Sequence, residues 1–228
     1  MNILCTRILV LVAFLLSGQS LSAQAETQVF NENAFALRHN FNKSYSVNFE
    51  FSNRAFIYTD EHIVYRMRQI QIAHFSALKL DLKQSIALGL MYRNRGVFED
   101  SSNEIRLTQQ YNRKSIFKTL RLGHRFRSEQ RFYDDFTAFR FRYRLAFDVP
   151  LQGLKLDVGE TYLVFTNEAL LTSTKIDKPE LEYRVSPSIG MLISKNLNFE
   201  FGVELRLDKI NIRTAESVFL NTSLELNL

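Results

Sequence analysis

The chain of 228 residues has no tryptophan, one cysteine, three prolines and eight glycines. These scarcities are informative. The cysteine is Cys5, near the start, so the rest of the chain has no disulfide, no thiol chemistry and no cysteine-ligated metal. Cys5 precedes the first apolar run instead of following it, which excludes a lipoprotein acceptor. That run, Ile8 to Leu16, is too short to cross a bilayer, and no later run reaches the length of a spanning helix. Disorder is excluded too, because hydrophobic residues make up 46% of the chain and charged residues 23%. The four histidines, His39, His62, His74 and His124, are not at metal-ligand spacing with one another or with carboxylates. No phosphate loop, G-x-S-x-G elbow or dinucleotide fingerprint is found. The sequence therefore points to no catalytic residues, no metal and no cofactor.

The N-terminus reads as an export signal. A weakly basic start leads into the short apolar run, Ser17-Gly18 breaks it, and Ala23-Gln24-Ala25 supplies a small-x-small cleavage site. The expected organisation is a cleaved signal peptide over residues 1–25 and one domain over 26–228. The expected location is the outer membrane of a Gram-negative cell, reached by export through this signal.

After that segment nearly everything repeats with period two. In the centre of the chain Arg121, Arg125, Arg127, Glu129 and Arg131 share one parity, and Leu122, Phe126 and Phe132 the other. Past Asp134-Asp135 the pattern resumes. Phe139, Phe141, Tyr143, Leu145, Phe147 and Val149 alternate with Arg140, Arg142, Arg144, Ala146 and Asp148. Successive strand residues point to opposite faces, so these are two long strands with one charged and one apolar face. Similar alternation recurs from Tyr45 to the end, in about ten segments. Several exceed the five or six residues usual in soluble proteins and reach the roughly nine to eleven a membrane barrel needs.

Short turns at 81–83, 152–153 and 195–196 alternate in the sequence with longer loops at 57–63, 96–103, 167–179 and 208–216, the pattern of outer-membrane barrels. The expected fold is an all-β, antiparallel, up-and-down transmembrane β-barrel of about 10–12 strands. Residues 28–41 leave the choice between ten and twelve open.

The net charge of +5 is compatible with nucleic acid, but a binding patch needs no strict alternation, so nucleic acid is not an expected partner. An arginine facing lipid at mid-bilayer costs roughly 2–4 kcal/mol. In a membrane barrel these arginines must therefore face inward, and a narrow interior requires counter-ions. The parity supplies them. The expected network joins Arg121, Arg125, Arg127, Glu129, Arg131, Arg140, Arg142, Arg144, Glu182, Arg184, Glu204 and Arg206. The alternative use of the same arginines is an anion-selective path. Glu160 is an outlier, a carboxylate on an apolar parity, read as returned to the interior by a bulge or as an active-site acid. Ser128 and His124 share a strand face, but at about 3.3 Å per residue they are too far apart for a nucleophile–base pair.

Gly123 to Phe132 and the run Phe139-Arg140-Phe141-Arg142-Tyr143-Arg144-Leu145 resemble the central signature of the domain of unknown function 2490 family. Residues 29–32 resemble the family's start, with Phe30 where tryptophan is usual. Asn53-Arg54 and Glu160 resemble further family positions. The resemblance implies a small outer-membrane barrel of unassigned function and transfers no catalytic residues.

The function expected is non-enzymatic: envelope structure, or limited transport of a small or hydrophobic solute. The partners would be outer-membrane lipid and the barrel assembly machinery. Two alternatives stay open, an outer-membrane lipid-modifying or hydrolytic enzyme and a soluble periplasmic barrel that binds a lipophile.

Overall fold

The computed structural model describes residues 28–59, 61–96 and 103–228. The expected signal segment and its cleavage site lie outside the described residues. The described residues form eleven strands closed into one barrel. They are β1 (Gln28–Asn40), β2 (Tyr45–Thr59), β3 (His62–Lys79), β4 (Gln84–Arg95), β5 (Glu104–Phe117) and β6 (Leu120–Phe132). There follow β7 (Thr137–Pro150), β8 (Thr161–Ser173), β9 (Glu180–Ser194), β10 (Leu197–Asp208) and β11 (Ala215–Asn227).

Sequential neighbours pair antiparallel, but the seam between β1 and β11 is parallel, with Gln28 opposite Ser217 and Arg38 opposite Asn227. The barrel is thus mixed, not wholly antiparallel. The reason is arithmetic: residues 28–40 form a full strand, and an odd number of alternating strands can close only with a parallel pair. Even counts are the rule in bacterial membrane barrels.

Several connections differ from the sequence reading. Residues 57–63 are not a loop: β2 and β3 run through them to a tight turn in which Glu61 has a φ of 62°. Near Arg66 and Arg68 the strand carries a register shift, since Arg54 pairs with Gln69 and Ala55 with Met67. The short turn expected at Gln152-Gly153 is part of a longer connection. Residues 151–160 form one loop, with Gly153 and Gly159 at φ values of 64° and 88°, and Leu154 and Val158 project into solvent. Residues 167–173, read as loop, belong to β8. The longest turn therefore lies at the end that also carries the turns 41–44, 80–83, 118–119 and 195–196, and the simple loop asymmetry is lost. This is termed the turn end; the opposite end carries the connections at 96–103, 133–136, 174–179 and 209–214.

Side chains segregate by parity. Phe49, Leu88, Leu90, Phe139 and Phe141 point outward, between 46% and 61% exposed. Inward positions hold Arg, Glu, Ser, Thr and Ala, with one aromatic cluster of Phe30, Phe56 and Phe219. On that inner wall Gly202 lies against β9. A Cβ there would meet the Cβ of Ser188 at 2.6 Å and the carbonyl oxygen of Pro187 at 2.9 Å. The second contact is backbone and cannot turn aside. Gly202→Val should lower stability by about 1–3 kcal/mol, the usual cost of overpacking, read as an earlier midpoint in urea unfolding. An unchanged midpoint would mean that the wall relaxes freely.

Candidate functional site

The inward arginines are held by carboxylates on neighbouring strands. Glu104, at the start of β5 and fully buried, is one hub. Arg131 on β6 grips it with Nε at 2.8 Å and Nη2 at 2.9 Å. Arg106 bonds it at 2.6 Å, Arg95 at 3.0 Å and Arg93 at 3.3 Å. The hydroxyl of Tyr133 donates to it at 3.2 Å. Arg106 also reaches Glu129 at 3.4 Å, and Glu129 takes Arg142 at 3.0 Å. Arg142 continues to Glu168 at 2.6 Å, which also holds Arg144 at 3.2 Å and Arg184 at 3.8 Å. Arg184 pairs with Glu182, and Arg140 lies 3.8 Å from Glu182. One connected network thus runs from β4 to β9.

A second group continues around the wall. Arg206 pairs with Glu204 and lies 3.6 Å from Glu32, which bonds Arg54 at 2.6 Å. The guanidinium of Arg206 stacks over Phe219 at 3.5 Å and that of Arg54 at 4.7 Å on the same ring. Phe30 stacks on Phe219 at 4.7 Å and tilts against Phe56 at 4.6 Å. These contacts fill the half of the barrel away from the turn end.

Not every expected residue joins. Among the described residues Arg121 pairs only with Asp148, half exposed near the turn end. Arg125 donates to Asn112 Oδ1 at 3.3 Å and Arg127 to Gln110 Oε1 at 2.5 Å; neither forms an ion pair with a described carboxylate. Glu160 is not returned to the interior by a bulge. It ends the 151–160 loop, where its carboxylate accepts the backbone N–H of Asp157 at 2.9 Å.

Glu168 and Glu32 were not among the expected network residues. The signal for Glu168 is register alone: it lies directly across from Arg144 and Arg184.

Outside the strands, the backbone N–H groups of Lys83 and Gln84 hold the Asp81 carboxyl below its usual range. A hydrogen bond to Glu180 raises the Lys209 amine.

On the outer face His124 Nδ1 meets the Tyr143 hydroxyl at 2.9 Å, and Ser128 is approached by Gln130 at 3.4 Å. His124 and Ser128 do not bond each other. His74 Nε2, however, lies 3.0 Å from Ser76 Oγ, which is 3.2 Å from the Tyr45 hydroxyl. His74 Nδ1 is buried without a hydrogen-bond partner. Among the described residues no group of three or more His, Cys, Asp or Glu could hold a metal.

The molecule is thus of the class of closed β-barrels with a charge-paired interior and an apolar exterior. Residues 33–213 match the family model described as protein of unknown function (DUF2490), and the chain belongs to that family. No curated protein matches it.

The hub and the rim differ in energetic consequence. Removing one partner of a buried ion pair typically costs about 3–5 kcal/mol, because the other charge stays buried. Exposed pairs are worth at most about 1 kcal/mol. Glu104→Gln should therefore destabilise the barrel by several kcal/mol, roughly as a single broken buried pair does. Glu225→Gln, which frees Arg38 at the rim, should have almost no effect. Urea unfolding of both variants checks the contrast, and equal losses would refute it.

Proposed function

We propose that the protein is an outer-membrane β-barrel whose interior is closed by charge pairing, with a structural or binding role in the envelope and not that of an open pore. The observation that carries this reading is the reversal of the usual soluble pattern. Large apolar side chains point outward around the barrel, while the arginines and glutamates point in. Soluble monomers rarely expose contiguous apolar patches beyond a few hundred Å², and water contact would cost about 25 cal/mol per Å². Strands of 12 to 18 residues are also long enough for a tilted span. A soluble lipophile carrier would need an apolar interior, whereas this one is lined mainly by charged and polar groups.

Closure rests on the buried ion pairs. Glu104, Glu129 and Glu168 are 0%, 1% and 3% exposed, which leaves no wide aqueous channel beside them. The expected results are retention in the membrane pellet after carbonate extraction, faster gel migration before heating than after, and no stable channels in planar bilayers. Release by carbonate would overturn the membrane assignment. Stable anion-selective channels would overturn closure.

The hydrolase reading has one observation behind it, the outward His74–Ser76 contact beside an apolar groove that Tyr45, Ser76 and Leu88 help to line. A serine nucleophile needs a base oriented by a third group, and His74 Nδ1 has none among the described residues. The folded protein should therefore resist labelling by a fluorophosphonate. Labelling that is lost in Ser76→Ala would instead establish the enzyme.

A further inference from the structure

The barrel interior is divided along its length. The half away from the turn end is packed with the ion-pair network and the three phenylalanines. The half toward the turn end is a cavity of about 1280 Å³. Its charge is one-sided. Nine lysines and arginines line it against five carboxylates. Four of those carboxylates are engaged. Glu225 pairs with Arg38 at 3.2 Å, and Glu204 with Arg206. Glu200 accepts the Tyr162 hydroxyl at 2.7 Å, and Asp81 caps its own turn.

The cavity wall on β6 and β7 sets like charges against each other. Arg125 lies directly across from Arg144, and Arg127 across from Arg142. Such juxtaposition is destabilising unless an anion intervenes. Glu129 and Glu168 supply that for Arg142 and Arg144. Among the described residues no carboxylate forms an ion pair with Arg125 or Arg127, and Glu168 acts on Arg125 and Glu129 on Arg127 only at a distance. They meet the neutral amides of Asn112 and Gln110, and Arg127 also the Phe75 ring at 5.1 Å. Glu50, the fifth carboxylate, lines the same cavity and acts on both electrostatically, but pairs with neither.

From this we infer that the vestibule is a binding site for a small, soluble oxyanion, a molecule bearing phosphate or carboxylate groups. Arg125 and Arg127 are its main contacts, with Arg144 beside them. Guanidinium forks match both headgroups in geometry and charge. Partly desolvated cations without counter-ions are costly, and an anion placed between them removes that cost. The volume suffices for a small molecule, since ligand pockets run to about 300–1,000 Å³. Thr166, Ser186, Ser188 and Ser223 make the wall hydrophilic, which suits a soluble solute and not an acyl chain. Access is from the turn end alone, because the network fills the other half. Glu50 competes with the ligand for the same arginines, so neutralising it should tighten binding.

The test is isothermal titration calorimetry on the full chain in non-ionic detergent, with pyrophosphate and citrate as probes and maltose as a neutral control. At least one anion should bind saturably with a Kd below about 1 mM, and maltose should not bind. Arg125→Gln combined with Arg127→Gln should weaken binding about tenfold or more, as loss of a charge-assisted hydrogen bond does. Glu50→Gln should strengthen it severalfold, a gain that a misfolded variant cannot mimic. Gel migration before and after heating reports whether each variant is folded. No saturable binding of either anion to folded wild-type protein would overturn the inference, as would undiminished binding by the folded double variant. The inference rests on the cavity and not on the surrounding solvent or on conductance, so its failure would leave the membrane reading standing.

Discussion

A guanidinium held away from water needs an anion, and much of this barrel's interior is arranged around that requirement. A strand has only two faces. Placing Arg140, Arg142 and Arg144 on one of them commits Phe139, Phe141 and Tyr143 to the other. Once the arginines point inward, neighbouring strands must deliver carboxylates at matching height. Glu129 on β6 and Glu168 on β8 flank Arg142 on β7 from both sides, and Glu104 gathers four arginines at one end. A one-residue slip in any of these pairings would turn a whole strand's charges outward. The network therefore fixes register as well as neutralising charge.

The same constraint separates the two halves of the interior. Where carboxylates are present in sufficient number, the wall collapses onto itself and excludes water. Where they run short, around Arg125 and Arg127, the wall stays apart and a cationic vestibule remains. Closure at one end and a polar recess at the other thus follow from where glutamates fall along the strands. The outer face follows from the same parity, with apolar side chains pointing outward around the barrel in a surface poorly suited to water.

What the sequence revealed depended on how cleanly each strand alternates. β6 and β7 have charged residues on one parity and aromatics on the other, so their faces were readable residue by residue. β8 was not. Tyr162, Val164 and Leu170 point inward while Leu163 and Phe165 point outward, so apolar residues occupy both parities and the strand reads as noise. Glu168, central to the network, was hidden with it. Leu154, Leu156 and Val158 show the opposite case, strand-like alternation in a segment that two glycines at positive φ turn into a loop. The parallel seam was not readable either, because strand count depends on whether residues 28–40 pair on both edges, and that is decided by partners almost 190 residues away. Glu160 stood out by parity only because its segment was taken for a strand.

The central claim is that outward positions face lipid and inward positions do not. The absence of tryptophan from the chain allows this to be measured against an empty background. Single tryptophans placed at Phe139, Phe141 and Tyr143, and separately at the inward Ala146, would be read by fluorescence in vesicles containing brominated lipid. The account predicts strong quenching at the three outward positions and none at Ala146→Trp. Equal quenching at all four, or none at the outward three, would contradict it.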